Sequence, residues 1–351
     1  MQQAARFILL PAIIGGLLGL VIIQWNKGTS QGSGFAQAVS RAAPAVVNIY
    51  SQKITEGSLL CRIPAYRQLC QAFGAETQVQ NSLGSGVIVD TDGYVLTNQH
   101  VVAEADEILV MFANGQTTTA QIIGVDPHTD LAVIKVPAAG LPVIPKLNGA
   151  TPRVGDIALA IGNPFGLGHS VSQGIISAFS RSIITNSPYD DFIQTDAAIS
   201  PGNSGGALVD EEGRLLGINT MIYSQSGGSE GIGFAIPAGI ALAVMQDIVT
   251  HGRVIRGWLG VRLTPQPLAD GSGYGLRVTR LSNTGPAAVA GLREGDVVIT
   301  VNSQAASNPN IATRIIADTT PGDEIQLEVM RNGTRFRATA IAAELPRRQE
   351  G

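Results

Sequence analysis

A serine enclosed by glycines, Gly202-Asn203-Ser204-Gly205-Gly206, constrains this chain more than any other stretch. A nucleophilic serine must stand exposed on a tight turn, with backbone N–H groups aimed at the oxygen that turns negative during acyl transfer. Glycine has no Cβ, so the main chain can come that close. Taken alone, the pentapeptide also fits a plain surface turn. Two upstream stretches shift the reading. Val95-Leu96-Thr97-Asn98-Gln99-His100-Val101-Val102 puts a histidine at the end of a strand-like apolar run, and Asp130-Leu131-Ala132-Val133-Ile134 puts an aspartate at the mouth of another. Histidine, aspartate and serine in that order match a triad in which an imidazole, held by a carboxylate, takes the serine proton, so the fold has to bring three distant segments to one point.

Around these points, short apolar runs alternate with glycine and Asp-Gly turns, the punctuation of all-β barrels. Strands are expected at 45–51, 86–90, 94–97, 107–112, 119–125 and 131–136, and a second series at 156–161, 174–179, 192–194, 207–209, 215–222 and 233–236. The Pro- and Gly-rich stretch 138–152 separates the two series. The expected fold is mainly β, a chymotrypsin-like pair of six-stranded barrels with the site between them. His100 and Asp130 come from the first barrel and Ser204 from the second. Ser204 then attacks the carbonyl, His100 takes its proton, Asp130 holds the imidazole, and the N–H groups of Gly202 and Ser204 form the oxyanion hole. Among residues ahead of Ser204 that would line a specificity pocket, Ile199 is aliphatic and none is acidic. Such a pocket accepts Val or Ala and rejects Lys or Arg, whose buried unpaired charge is costly. Asn203 cannot make the ion pair that a zymogen aspartate makes at this position, which disfavours activation by prodomain cleavage. His128, His169 and His251 stand in no comparable motif and read as surface or capping residues.

The region 53–80 has no clean period and reads as a long loop carrying the only two cysteines, Cys61 and Cys70. Their spacing fits no zinc or redox motif, leaving a disulfide staple in an oxidising compartment or two free thiols. No metal and no cofactor is called for. Hydrophobic residues make up 44% of the chain and charged ones 14%, a composition that folds. A net charge of −4 without a basic run argues against nucleic acid as a partner.

Residues 7–25 are free of charge, long enough as a helix to cross about 30 Å of hydrocarbon. A retained transmembrane anchor is expected, with 1–6 on the cytoplasmic side, 26–34 as a flexible tether and the rest beyond the membrane. A cleaved signal peptide is the alternative, although its apolar core is usually shorter. The protease domain spans 35–252, beginning with a short helix stopped by Pro44 and ending in a helix at 237–252. From 257 to 345 a separate module of strands and one helix, at about 310–318, follows.

The segments Thr97-Asn98-Gln99-His100-Val101-Val102, Asp130-Leu131-Ala132-Val133 and Gly202-Asn203-Ser204-Gly205-Gly206 resemble the HtrA (Deg) serine proteases. Gly285-Pro286-Ala287-Ala288-Val289-Ala290-Gly291-Leu292 with Gly295-Asp296 is similar to the PDZ domain of that family. One anchor and one PDZ module are most similar to the DegS-type regulatory members. The resemblance implies a periplasmic inner-membrane serine endopeptidase and a second pocket wall at Ile222. It also implies a peptide-carboxylate loop at Trp258-Leu259-Gly260, where Trp258 could instead simply pack in a core, and a sensor at Arg181, otherwise a solvated arginine. PDZ domains bind hydrophobic C-terminal peptides by adding a strand. Further implications are a homotrimer and a membrane-linked, anti-sigma-factor-like substrate in an envelope-stress response. Two alternatives remain: a broad quality-control protease or chaperone, and a non-catalytic peptide-binding module.

Overall fold

The computed structural model describes residues 34–55, 78–147, 149, 151–163, 168–181, 191–200, 202–222, 231–268, 271 and 273–346. The apolar run 7–25, Cys61 and Cys70 lie outside the described residues. Among the described residues no helix is long and apolar enough to cross a membrane.

Helix α1 (Ala36–Ala42) ends in a 3-10 turn containing Pro44, which cannot continue it. The first half then builds β1 (Val46–Thr55), β2 (Gln78–Ile88), β3 (Tyr94–Asn98), the one-turn helix α2 (Gln99–Val102), β4 (Glu107–Met111), β5 (Thr117–Thr119), β6 (Gln121–Asp126) and β7 (Leu131–Lys135). These strands hydrogen-bond in the order β5-β4-β1-β2-β3-β7-β6. Only Ala120 separates β5 from β6, and its N–H donates to Ile108 O at 2.9 Å. The segment 117–126 is therefore one bent strand pairing with β4 at one end and β7 at the other, which wraps the sheet round. The bend replaces the unbroken strand expected at 119–125.

The second half contributes β8 (Ile157–Gly162), β9 (Ser170–Arg181), β10 (Phe192–Thr195), β11 (Ala207–Val209), β12 (Leu215–Ile222) and β13 (Gly233–Pro237), closed in the order β10-β13-β12-β11-β8-β9. Its interior is Ala158, Ala160, Ile176, Ile193, Leu208 and their neighbours. Closure removes every exposed strand edge, so the barrel is a rigid base for a turn placed at its rim.

Helix α3 (Ala238–His251) crosses back over β6 and β7. It stops at Gly252, whose φ of +73° is the left-handed cap and whose N–H donates to Ile248 O at 2.8 Å. Close passage of α3 depends on Gly124: a Cβ there would stand 2.7 Å from the Ile248 side chain.

The last module comprises β14 (Gly257–Trp258), β15 (Val261–Pro267), β16 (Tyr274–Leu281), α4 (Pro286–Val289), β17 (Val297–Val301), β18 (Gln304–Ala305), α5 (Pro309–Ala317), β19 (Glu324–Arg331), β20 (Thr334–Ile341) and β21 (Ala343–Glu344). Its sheet runs β15-β16-β17-β19-β20, with β18 beside β17, and β14 pairs separately with β21. Strand β15 is thus an edge, and α5 flanks it.

One charged pair fastens this module. Asp296, 1% exposed, accepts from Arg331 Nε at 2.7 Å and Nη2 at 2.8 Å. The same guanidinium donates to Gly291 O at 2.8 Å and lies over the Phe336 ring. Burial alone would raise the Asp296 pKa, but the Arg331 guanidinium and the Arg293 N–H outweigh it and hold the carboxyl below its ordinary value. A depressed folded-state pKa gives stability that is complete above the unfolded value, about 4, and is lost as pH falls through the folded value. Arg331→Ala strands a buried carboxylate and is expected to cost about 3 kcal/mol in urea unfolding at pH 7. The deficit should shrink between pH 4 and pH 2. A deficit unchanged over that range would mean that lost packing against Phe336, rather than charge, sets the cost.

Candidate active site

Three segments converge at the cleft between the two barrels. His100 stands on α2 directly after β3, Asp130 directly before β7, and Ser204 on the turn between β10 and β11. Register between β3 and β7 places Asn98 opposite Leu131, which brings the histidine and aspartate turns side by side.

Asp130 has φ of +54°, a left-handed conformation that costs a non-glycine residue about 1–2 kcal/mol. Its carbonyl oxygen is held there by the Gln99 N–H at 2.9 Å and the Asn98 side-chain amide at 3.1 Å. The carboxylate is fully engaged. Oδ1 accepts from the His100 main-chain N–H at 3.0 Å, and Oδ2 accepts from Thr220 Oγ1 at 2.9 Å and meets His100 Nδ1 at 2.7 Å.

Ser204 is reached through the same threonine. Its Oγ donates to the Thr220 main-chain oxygen at 2.9 Å. A hydroxyl has one proton, so in this arrangement Ser204 points it at Thr220 O and not at His100. Thr220 therefore touches both the acid and the serine, a role that nothing in its local sequence signals.

The serine turn is compressed. Gly202 (φ +99°) and Gly205 (φ +82°) occupy conformations closed to most side chains. A Cβ on Gly205 would stand 2.1 Å from Ser85 O and 2.3 Å from Thr97 Oγ1. Among the described residues, neither the Gly202 N–H nor the Ser204 N–H donates to a protein acceptor, while the neighbouring Asn203 N–H goes to Ser200 O at 2.9 Å.

Ile199 is 1% exposed and packs against Gly233 in the core of the closed barrel, so here it presents almost no free surface. Ile222 ends β12 and Arg181 ends β9; their side chains lie outside the described set. His169, expected as a surface or capping residue, is half-buried, with Nε2 2.9 Å from Val46 O across the two barrels. The expected loop 53–80 also shortens: β1 and β2 stay paired as far as Thr55 opposite Gln78. The register of that ribbon sets Tyr50 opposite Leu83 and Ile54 opposite Val79, but the polar pair Gln52 and Asn81 stands between them and hides the alternation from sequence reading.

Behind Asp130, the next acid up the chain meets the interdomain linker. Asp126 is buried and accepts Arg256 Nη1 at 2.8 Å and Nη2 at 2.6 Å, as well as Thr129 Oγ1 at 2.5 Å. Burial would raise the Asp126 pKa, but Arg256 and Thr129 together hold it below its ordinary value. Arg314 on α5 pairs with Asp191 at the foot of β10. Both ties border an interdomain cleft of about 690 Å³ that also reaches Thr129.

In the last module the main-chain oxygens of Leu259 and Gly260 accept from Ala287 N–H at 3.0 Å and Ser282 N–H at 2.8 Å. Their own N–H groups have no protein acceptor among the described residues. Leu259 is core, and the Trp258 ring lies half-buried over the Gly260 turn. Val261 and Leu263 of β15 and Ile315 of α5 are partly exposed beside that turn.

Comparison with known proteins adds the following. Residues 84–218 match the trypsin-like peptidase domain and residues 257–340 the PDZ domain. Serine endoprotease DegS of Haemophilus influenzae is 40% identical over 89% of this chain and 88% of its own length. DegS of Salmonella typhimurium is 38% identical over 93% and 90%, and a probable periplasmic serine endoprotease DegP-like of Halomonas elongata is 40% identical over 95% and 76%. Among solved structures, the HtrA-type protease AlgW with decapeptide superposes with a TM-score of 0.76 at 46% identity, covering 90% of this chain and 99% of that one. The serine endoprotease from Yersinia pestis superposes with a TM-score of 0.67 at 41% identity, covering 90% and 99%.

Proposed function

Because this chain belongs to the HtrA family of trypsin-like serine endoproteases with a PDZ domain, we propose that it is a periplasmic, inner-membrane-anchored protease gated by peptide C-termini. The observation that carries its chemistry is the contact of His100 Nδ1 with Asp130 Oδ2 at 2.7 Å, with Thr220 joining Asp130 to Ser204. In the reaction Ser204 Oγ leaves Thr220 O, gives its proton to His100 Nε2 and bonds to the substrate carbonyl carbon. Asp130 stabilises the imidazolium, and the N–H groups of Gly202 and Ser204, which have no acceptor among the described residues, receive the oxyanion. His100 then protonates the departing amine, and water releases the acyl group by the reverse proton path. Ile222 walls a pocket for Val or Ala, and Ile199, buried in the barrel core, joins that wall only when substrate binding uncovers it.

Gating draws on the free edge of β15. A peptide ending in a hydrophobic residue adds a strand there, its carboxylate on the N–H groups at Trp258-Leu259-Gly260 and its last side chain among Val261, Leu263 and Ile315. Helix α5 bears Arg314 on its way to Asp191, and Arg256 joins the linker to Asp126, so a peptide that binds the two domain arrangements unequally shifts cleavage. Arg181, at the end of β9, is the sensor of that shift. Membership of the HtrA family supports a homotrimer, built from residues near the start of the protease domain. The residues 7–25 anchor the chain, and the substrate is a membrane-linked regulator of the anti-sigma type in envelope stress.

The test follows cleavage of a reporter containing Val-Ser or Ala-Ser sites by residues 35–351, with and without such a peptide. Cleavage rising at least tenfold with peptide is expected, and Leu263→Glu should remove the rise. Equal digestion with or without peptide would point to a quality-control protease, and no cleavage in either condition to a binding module.

A further inference from the structure

Ser85, on β2 between Gly84 and Gly86, is fully buried and bridges the first barrel to the serine turn. Its N–H donates to Ser204 O at 2.8 Å, and its Oγ donates to Gly202 O at 2.7 Å. The same Oγ accepts from the Asn163 N–H at 2.9 Å, while Ser85 O accepts from Thr97 Oγ1 at 2.7 Å. Every polar group of this residue is spent on the turn or on what lies behind it.

We propose that Ser85 is a positioning residue for the oxyanion-binding turn, acting through the Gly202 carbonyl. This rests on the roles given above to Ser204 and Gly202. The physical need lies in Gly202 itself: at φ of +99° it has no side chain to restrict it, and the peptide planes on either side rotate cheaply. A hydroxyl holding its carbonyl fixes the plane shared with Asn203, whose N–H is already tied to Ser200 O. Both bonds act on the one peptide plane that follows Gly202; fixing it removes one of the two rotations flanking that residue and so narrows the directions its own N–H, on the preceding plane, can take beside that of Ser204. The single Ser85 hydroxyl proton goes to Gly202 O, while the same oxygen accepts the Asn163 N–H. The flanking glycines make room: a Cβ on Gly84 would stand 2.6 Å from the Val101 side chain and 3.2 Å from Ser204 O.

The test compares wild type, Ser85→Ala, Ser85→Thr and Ser204→Ala at saturating activating peptide, on a Val-Ser peptide and on a tetrahedral Val-boronate inhibitor. Ser85→Ala is expected to lower kcat about 10- to 100-fold with KM within about threefold, less than the loss of an oxyanion donor itself. Boronate affinity should fall by the same factor as kcat, because that adduct fills the oxyanion site. The pH midpoint of kcat should not move, since His100 and Asp130 are untouched. Ser85→Thr keeps the hydroxyl and should recover most of the loss. Wild-type kcat and boronate affinity in Ser85→Ala, or equal damage in Ser85→Thr, would overturn the proposal. If Ser85→Ala lacks a cooperative melt, Ser85→Cys, of similar shape and weaker donation, replaces it with the same expected split. Residual turnover in Ser204→Ala would instead sink the role of Ser204, whatever Ser85 does.

Discussion

Turnover by Ser204→Ala is expected to fall about 10⁶-fold, to what binding and backbone donors alone supply. The change deletes only Oγ, whose hydrogen bond in the resting protein runs to Thr220 O at the edge of the cleft. Alanine keeps the Ser204 N–H, the bond from Ser85 to Ser204 O, and the glycines that shape the turn. Stability should therefore change by less than about 1 kcal/mol. Binding of activating peptide to the PDZ module should match wild type. The checks are the single-turnover rate on a fluorogenic Val-Ser peptide and mass detection of phosphonate labelling. Labelling of wild type but not of the variant identifies the nucleophile; a variant cleaving within tenfold of wild type would place it elsewhere.

Asp130→Asn is expected to cost about 10⁴-fold in kcat with little change in stability. The backbone tolerates it, because asparagine is among the few residues at ease at φ of +54°. The side chain does not. Three donors converge on the carboxylate: the His100 main-chain N–H, Thr220 Oγ1 and His100 Nδ1. An amide offers one oxygen and one NH₂. If the oxygen keeps the His100 main-chain bond, the NH₂ faces the imidazole. His100 must then accept at Nδ1 and carry its proton on Nε2, the atom that has to receive the Ser204 proton. Nitrogen chemical shifts of His100 should show the tautomer reversed. An unchanged tautomer with kcat within tenfold of wild type would remove Asp130 from the mechanism.

Thermal unfolding of the two variants should resemble wild type, which separates chemistry from folding. Arg331→Ala should behave oppositely, losing stability with the triad contacts intact.

Much of the architecture was legible along the chain. The strands 207–209 and 215–222 match their expected bounds, and α3 lies within the helix expected at 237–252. Apolar alternation and left-handed glycines are local signals, set by residues within one turn or strand. The misfits are polar or bent. The polar pair Gln52 and Asn81 interrupts the apolar alternation of the ribbon that ends at Thr55 and Gln78, and the break at Ala120 comes from one strand pairing with two partners.

By itself, the sequence determined which residue types could do chemistry and in what order: a histidine after one strand, an aspartate before another, and a serine among glycines. Those depend on short-range backbone geometry, which neighbours dictate. Tertiary structure alone decided that Thr220 joins Asp130 to Ser204, that Ser85 reaches Gly202, and that Arg256 meets Asp126. Ser85 and Gly202 stand 117 positions apart, and Arg256 and Asp126 130. Contacts of that range follow from strand register and from the packing of barrel against barrel. A shift of one residue in register would turn Ser85 to the opposite face of β2 and away from the turn it holds.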